Sequence, residues 1–161
     1  MTKLFNVISV VAILLVAACA SGTTMVSAPA ETGQSFSNVK IVAGDDTVGI
    51  DPKAGQRFEE TLSNLLFGEH GRFSRGEGMT IKYRFIQYDE GSQVARYLIG
   101  LGAGKGELTT EITFLDSEGN EMAKIQAGGQ IIGGLFGGSF TQAVDRAAME
   151  AADYANENFA Q

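Results

Sequence analysis

The residues best placed to do chemistry are Val16-Ala17-Ala18-Cys19, where the only cysteine among 161 residues follows directly on two small side chains. A thiol there is a nucleophile for acylation, and small residues before it are what a signal peptidase needs around its cut. The upstream order matches: Lys3 supplies a positive start and Leu4 to Leu15 an apolar run. That run is broken by Asn6 and Ser9 and falls short of the about 20 apolar residues of a spanning helix, so it reads as a cleaved signal and not a retained anchor. The arrangement is that of a lipobox, with Cys19 the lipid-modified N-terminus and palmitate the expected kind of acyl chain. The alternative, an ordinary small residue beside a plain cleavage site, leaves a secreted chain with one unpaired thiol, which is unusual. One acyl chain holds a protein only marginally; two or more hold it firmly.

Other chemistry-bearing residues are sparse. His70 is the single histidine and stands among charged residues, so no triad can be assembled around it. Asp116, Glu118 and Glu121 surround a turn, but Gly119 comes too early for a calcium loop of the EF-hand type, and turn formation accounts for them. Asp45-Asp46, Glu59-Glu60 and Asp89-Glu90 are adjacent pairs, whose side chains diverge on a strand or helix, so none is a ready acid and base couple. Arg96 differs, because Val94, Tyr97, Leu98 and Ile99 draw its stem toward the domain, and a structural ion pair is its expected role. Lys105 lies in a glycine-rich run, yet Ile99 stands where a Walker A loop needs Gly and Gly106 where it needs Ser or Thr. We therefore expect no catalytic residue, no metal ligand and no cofactor.

The elements that must carry these residues can be read from periodicity. Val39, Ile41 and Ala43 mark a strand over Asn38–Ala43. Asp51-Pro52 is an N-cap and first-turn pair; Ala54, Phe58, Leu62, Leu65 and Leu66 then share a helical face until Gly68 stops the helix. Gly68 to Gly78 reads as a polar surface loop. Met79, Ile81, Tyr83 and Phe85 alternate in a half-buried strand continuing toward Tyr88. Leu108 to Phe114, the turn Asp116-Ser117-Glu118-Gly119-Asn120, and Ala123 to Ala127 read as a hairpin. Ser139-Phe140-Thr141-Gln142 has the form of a capping box, opening a helix with a small-residue face from Ala143 to Tyr154 that runs nearly to Phe159.

The expected fold is α+β, a small, mostly antiparallel sheet in the order β-α-β-β-β-α with two helices packed on one face and a right-handed first crossover. Residues 1–18 are the expected signal peptide, 19–36 the lipidated cysteine and a flexible Ser, Thr, Ala and Gly-rich tether, and 37–161 one periplasmic domain. Losing Lys3 with the signal leaves 11 basic against 19 acidic residues, a net of −8, which argues against nucleic acid as a partner and against electrostatic adhesion to anionic lipid.

Two glycine-rich segments flank the hairpin, Leu98 to Gly106 and Gly128 to Gly138, so both leave the sheet at one end. As a helix in water the six glycines of the second would cost roughly 6 kcal/mol against alanine, so an extended or irregular path is expected. Their backbone can serve tight turns and close approach. Alternatively Leu98, Ile99, Leu101, Ile131, Ile132, Leu135 and Phe136 form an apolar patch open to a partner.

Arg96-Tyr97-Leu98-Ile99-Gly100-Leu101-Gly102-Ala103-Gly104, the strand ending in Leu115-Asp116, Gly119, and the later glycine-rich stretch before an Ala-rich helix together resemble a family of bacterial lipoproteins catalogued as domain of unknown function 4410. The likeness runs from about Val39 to Phe159. It implies an envelope location and a compact α/β domain, and transfers no catalytic residue. By the same likeness to lipoproteins, Ala20 in place of an Asp after the cysteine implies the periplasmic face of the outer membrane. The expected function is a non-enzymatic envelope lipoprotein that binds a protein or peptidoglycan through its glycine-rich end. The alternative is a self-assembling component of an envelope complex for secretion or cell-wall regulation; an enzyme without recognisable motif ranks last. The oligomeric state is open.

Overall fold

The computed structural model describes residues 25–28, 30, 33–89, 106–131 and 140–161. Strand β1 spans Met25–Ala28, β2 Asn38–Ala43, helix α1 Pro52–Phe67, β3 Ser74–Arg75, β4 Met79–Asp89, β5 Gly106–Leu115, β6 Glu121–Ile131 and helix α2 Phe140–Asn158. One mixed sheet carries all six strands in the order β1-β6-β5-β4-β2-β3. The pairs β1/β6, β6/β5 and β5/β4 are antiparallel, and β2 lies parallel to both β4 and β3. The α+β class and the largely antiparallel sheet match expectation, whereas the order of elements departs from β-α-β-β-β-α by two strands. Met25–Ala28 falls inside the segment read as a tether, yet pairs with β6; its four residues are too few for an apolar period to show. Ser74–Arg75 falls inside the segment read as a polar loop, where Phe73 is buried and anchors the chain beside β2.

Alternation decides which face is covered. Met79, Ile81, Tyr83 and Phe85 of β4, Leu108, Ile112 and Phe114 of β5, and Ala123, Ile125 and Ala127 of β6 are buried in one core. Both helices lie on that face: Phe58 of α1 packs on Tyr83 with ring centroids 4.4 Å apart, and Tyr154 of α2 stacks on Phe114 at 5.1 Å. Ala143, Ala147, Ala148, Ala151, Ala152 and Ala155 bury the small side of α2, allowing a close approach of helix to sheet and helix to helix. A register shift between Phe85 and Gln87 turns Tyr88 back to the helix face, where it meets Phe140 at 5.0 Å.

Local signals act where expected. The Asp51 side chain accepts from the Lys53 N–H at 2.9 Å, with Pro52 in the first turn, and the Gly68 N–H donates to the Asn64 carbonyl at 3.0 Å. In the β5–β6 turn the Asp116 carboxylate accepts from the Glu118 N–H (2.9 Å), the Asn120 N–H (2.8 Å) and the Asn120 side-chain amide (2.9 Å), while Gly119 takes φ +89°. Gly128 sits at φ +151°, and a Cβ there would collide with the Leu108 carbonyl, so only glycine lets β6 cross β5 at that point. Among the described residues, no helix is long and apolar enough to cross a membrane.

Candidate functional site

Among the described residues, three surface depressions lie around α1, and hydrogen bonds or ion pairs tie up several of the polar side chains that line them. The first, about 260 Å³, opens between the β2–α1 connection and β4. There the Tyr83 hydroxyl donates to Glu59 Oε1 at 2.8 Å, and Asp46 Oδ1 accepts from the Phe85 N–H at 2.8 Å. Burial, then the bond to the Glu59 carboxylate, pushes the Tyr83 hydroxyl above its usual range. It keeps its proton throughout neutral pH and is suited to bracing α1 on the sheet.

The second depression, about 380 Å³, lies where the starts of the two helices meet. Lys53 and Arg57 both line it, and Arg57 forms a two-pronged pair with Asp145 of α2, Nε to Oδ1 at 2.6 Å and Nη2 to Oδ2 at 2.7 Å, while the Thr61 hydroxyl donates to the same Oδ1 at 2.9 Å. The hydrogen bond from Arg57 holds the Asp145 carboxyl below its ordinary value against the opposing effect of partial burial, with Thr61 assisting. The group is a clamp between helices.

The third, about 340 Å³, is a groove along the outer side of β2, floored by Ile41 and Phe67 and flanked by Arg75 and Glu77. Arg75 lies over the Phe67 ring at 4.4 Å, and Lys40 pairs with Glu77 at 3.0 Å. The carbonyls of Ser37 and Val39 accept from Ser74 and Gly76, so odd-numbered residues of β2 turn their main chain outward; Gly44 donates inward to the Tyr83 carbonyl. Beyond Val39, where β3 ends its pairing, the outward groups of Ile41 and Ala43 meet no strand among the described residues. At the opposite end of the sheet β1 likewise has no further strand beside it among the described residues, with Met25 62% and Val26 51% exposed. The sequence reading missed both edges; the register of the finished sheet, which no local pattern encodes, exposes them.

His70 is exposed in a turn, and Asp116 makes the turn contacts given above, as expected, while Glu121 opens β6 and pairs with Lys124 at 2.8 Å. No group of three or more His, Cys, Asp or Glu residues is arranged to hold a metal ion among the described residues. Cys19, Arg96, Leu98, Ile99, Leu101, Ile132, Leu135 and Phe136 lie outside the described residues. Ile131 ends β6 and pairs in register with Gly106, the first residue of β5. Gly106 and Ile131 thus lie together at one end of the sheet.

A family model described as "Domain of unknown function (DUF4410)" matches residues 67–134, from the last residue of α1 to just past β6. The resemblance to that family is thereby borne out over residues 67–134, a shorter stretch than the Val39 to Phe159 read from the sequence. No curated protein matches the chain. Among solved structures, the dodecamer of a singly substituted PelC from Paraburkholderia phytofirmans is similar at a TM-score of 0.56 and 14% identity, covering 83% of this chain and 97% of that one. A second PelC dodecamer from the same organism is similar at a TM-score of 0.54 and 14% identity, covering 88% of this chain and 100% of the other. At that identity the likeness is one of fold.

Proposed function

We propose that this chain, with the DUF4410 match spanning the middle of its sheet, is a non-enzymatic lipoprotein of the bacterial envelope. It is held at the periplasmic face of the outer membrane through lipid on Cys19, and it works by assembling with copies of itself. The observation that carries the reading is that two solved structures sharing the fold across more than four fifths of the chain are dodecamers. The geometry around α1 supports it, because Arg57 is bound to Asp145 and Tyr83 to Glu59 in bracing contacts. Full-length chain extracted from membranes in mild detergent is expected to give an assembly mass by light scattering; a monomer at every concentration overturns self-assembly. Labelling with a palmitate analogue is expected to vanish in Cys19→Ala, and undiminished label refutes the anchor.

A second reading, capture of another protein or peptidoglycan, is favoured by the paired ends of β5 and β6. Gly106 and Ile131 lie opposite each other at one end of the sheet, and in sequence they adjoin the segments that bear Leu98, Ile99, Leu101, Ile132, Leu135 and Phe136. Replacing Leu135 and Phe136 with Ser and crosslinking in intact cells tests it: loss of a specific neighbour with unchanged thermal stability supports the contact role, and loss of folding refutes it.

A further inference from the structure

We infer that the copies join head to tail through the two open ends of the sheet, β1 of one copy adding antiparallel to β2 of the next beside Lys40–Ala43. The inference rests on the self-assembly reading and names the surface that performs it. Three observations carry it.

The first is fit. The uncovered stretch of β2 is four residues long, as is β1. Ile41 and Ala43 turn main-chain donors and acceptors toward it, and an added strand is the ordinary way to satisfy such groups. The second is chemical match. The groove's charged side chains each have a contact, Arg75 over Phe67, Lys40 on Glu77 and Glu59 accepting from the Tyr83 hydroxyl, so it accepts an uncharged strand without stranding an ion. Met25-Val26-Ser27-Ala28 is such a strand. Val26 pairs with Ile125 and so lies on the helix side of the sheet, the side from which Ile41 and Phe67 floor the groove. Ser27, at the register shift, gives its hydroxyl to the Lys124 carbonyl at 3.1 Å, leaving Met25 and Val26 as the contact pair.

The third is direction. Following the ladder from β4 through β5 and β6, β1 runs opposite to β4, whereas β2 runs with it. Copies set side by side in the same sense, helices on the same side, thus present β1 antiparallel to the neighbour's β2, the more stable pairing per residue. Each copy spends each edge once, so the interface is heterologous and closes into a ring when its rotation closes.

The test uses full-length chain in membranes, two differently tagged copies being co-expressed. One carries Met25→Cys and the other Lys40→Cys or Val42→Cys, all on the sheet face away from the helices; the parent chain is the control for Cys19. A disulfide-linked dimer bearing both tags is expected. Crosslinks only between two Met25→Cys copies mean like-to-like edges and overturn the inference, as does a crosslink to a different protein. An assembly mass with no mixed crosslink places the contact elsewhere and overturns the inference while sparing self-assembly; a monomer overturns both. Ala43→Pro removes an outward N–H at an exposed edge position. It is expected to shift the particle to monomer mass with an unchanged circular dichroism spectrum. Assembly retained by that variant overturns the inference.

Discussion

Thr110 is fully buried on the helix side of β5, and its hydroxyl oxygen has no hydrogen-bond partner among the described residues. A buried hydroxyl left unpaired costs about 1–3 kcal/mol, so the isosteric Thr110→Val is expected to stabilise the domain by about 1 kcal/mol, raising Tm by roughly 4 °C in a calorimetric scan. Tyr83 carries a proton that is hard to remove. In a spectrophotometric titration, one of the four tyrosines is expected to stay protonated after exposed phenols have ionised, and Tyr83→Phe to abolish that late step at a stability loss of about 1 kcal/mol. At this scale the sequence was informative where a side chain acts on its own neighbours, as Asp51 and Asp116 do, because capping and turn bonds are local. It was silent on Tyr83–Glu59 and Arg57–Asp145, whose partners are 24 and 88 residues apart and meet only once helix and sheet are assembled.

Between elements, the Arg57–Asp145 clamp ties α1 to α2. Asp145 titrates below its unfolded value, so its stabilising contribution is present above the unfolded pKa of 3.8 and is lost as pH falls through the lower folded pKa. Asp145→Asn is therefore expected to lower Tm by a constant amount between pH 5 and pH 8, the gap to the parent closing below about pH 4. The bounds of α1 and the cores of β2, β4, β5 and β6 were legible because each repeats its own period over several residues. β3, with two residues, and β1, with four, hold too little pattern to be seen, and they exist because a neighbour's ladder recruits them. β6 runs on through Gly128 and Gly129, where a glycine-rich composition gave no strand signal; pairing with Leu108 and Thr109 imposes it.

For the whole molecule, α+β class and the single helix-covered face followed from alternation, but the parallel β2/β4 pair and the positions of the sheet ends depend on topology. The two ends of the domain are also tied together. The Phe36 N–H donates to the Phe159 carbonyl at 2.8 Å, and Arg72 donates to the Asn156 and Gln161 carbonyls at 3.2 and 2.8 Å. Phe159 is fully buried against Phe114 and Tyr154. Phe159→Ala is expected to remove about 3–5 kcal/mol, lowering Tm by roughly 12–20 °C, as large a loss as a deletion in the middle of the core.

Recruitment of Met25 into the sheet also sets a height. Were residues 19–36 all free, the leash from Cys19 could stretch on the order of 50 Å; with Met25 fixed, six peptide steps remain, about 20 Å fully drawn out. A lipid on Cys19 would then keep the globule hugging the bilayer, the Met25 end of β1 nearest the headgroups and its open edge turned sideways to the next copy, and a ring of such copies would lie flat on the leaflet with every acyl group inserted on the same side.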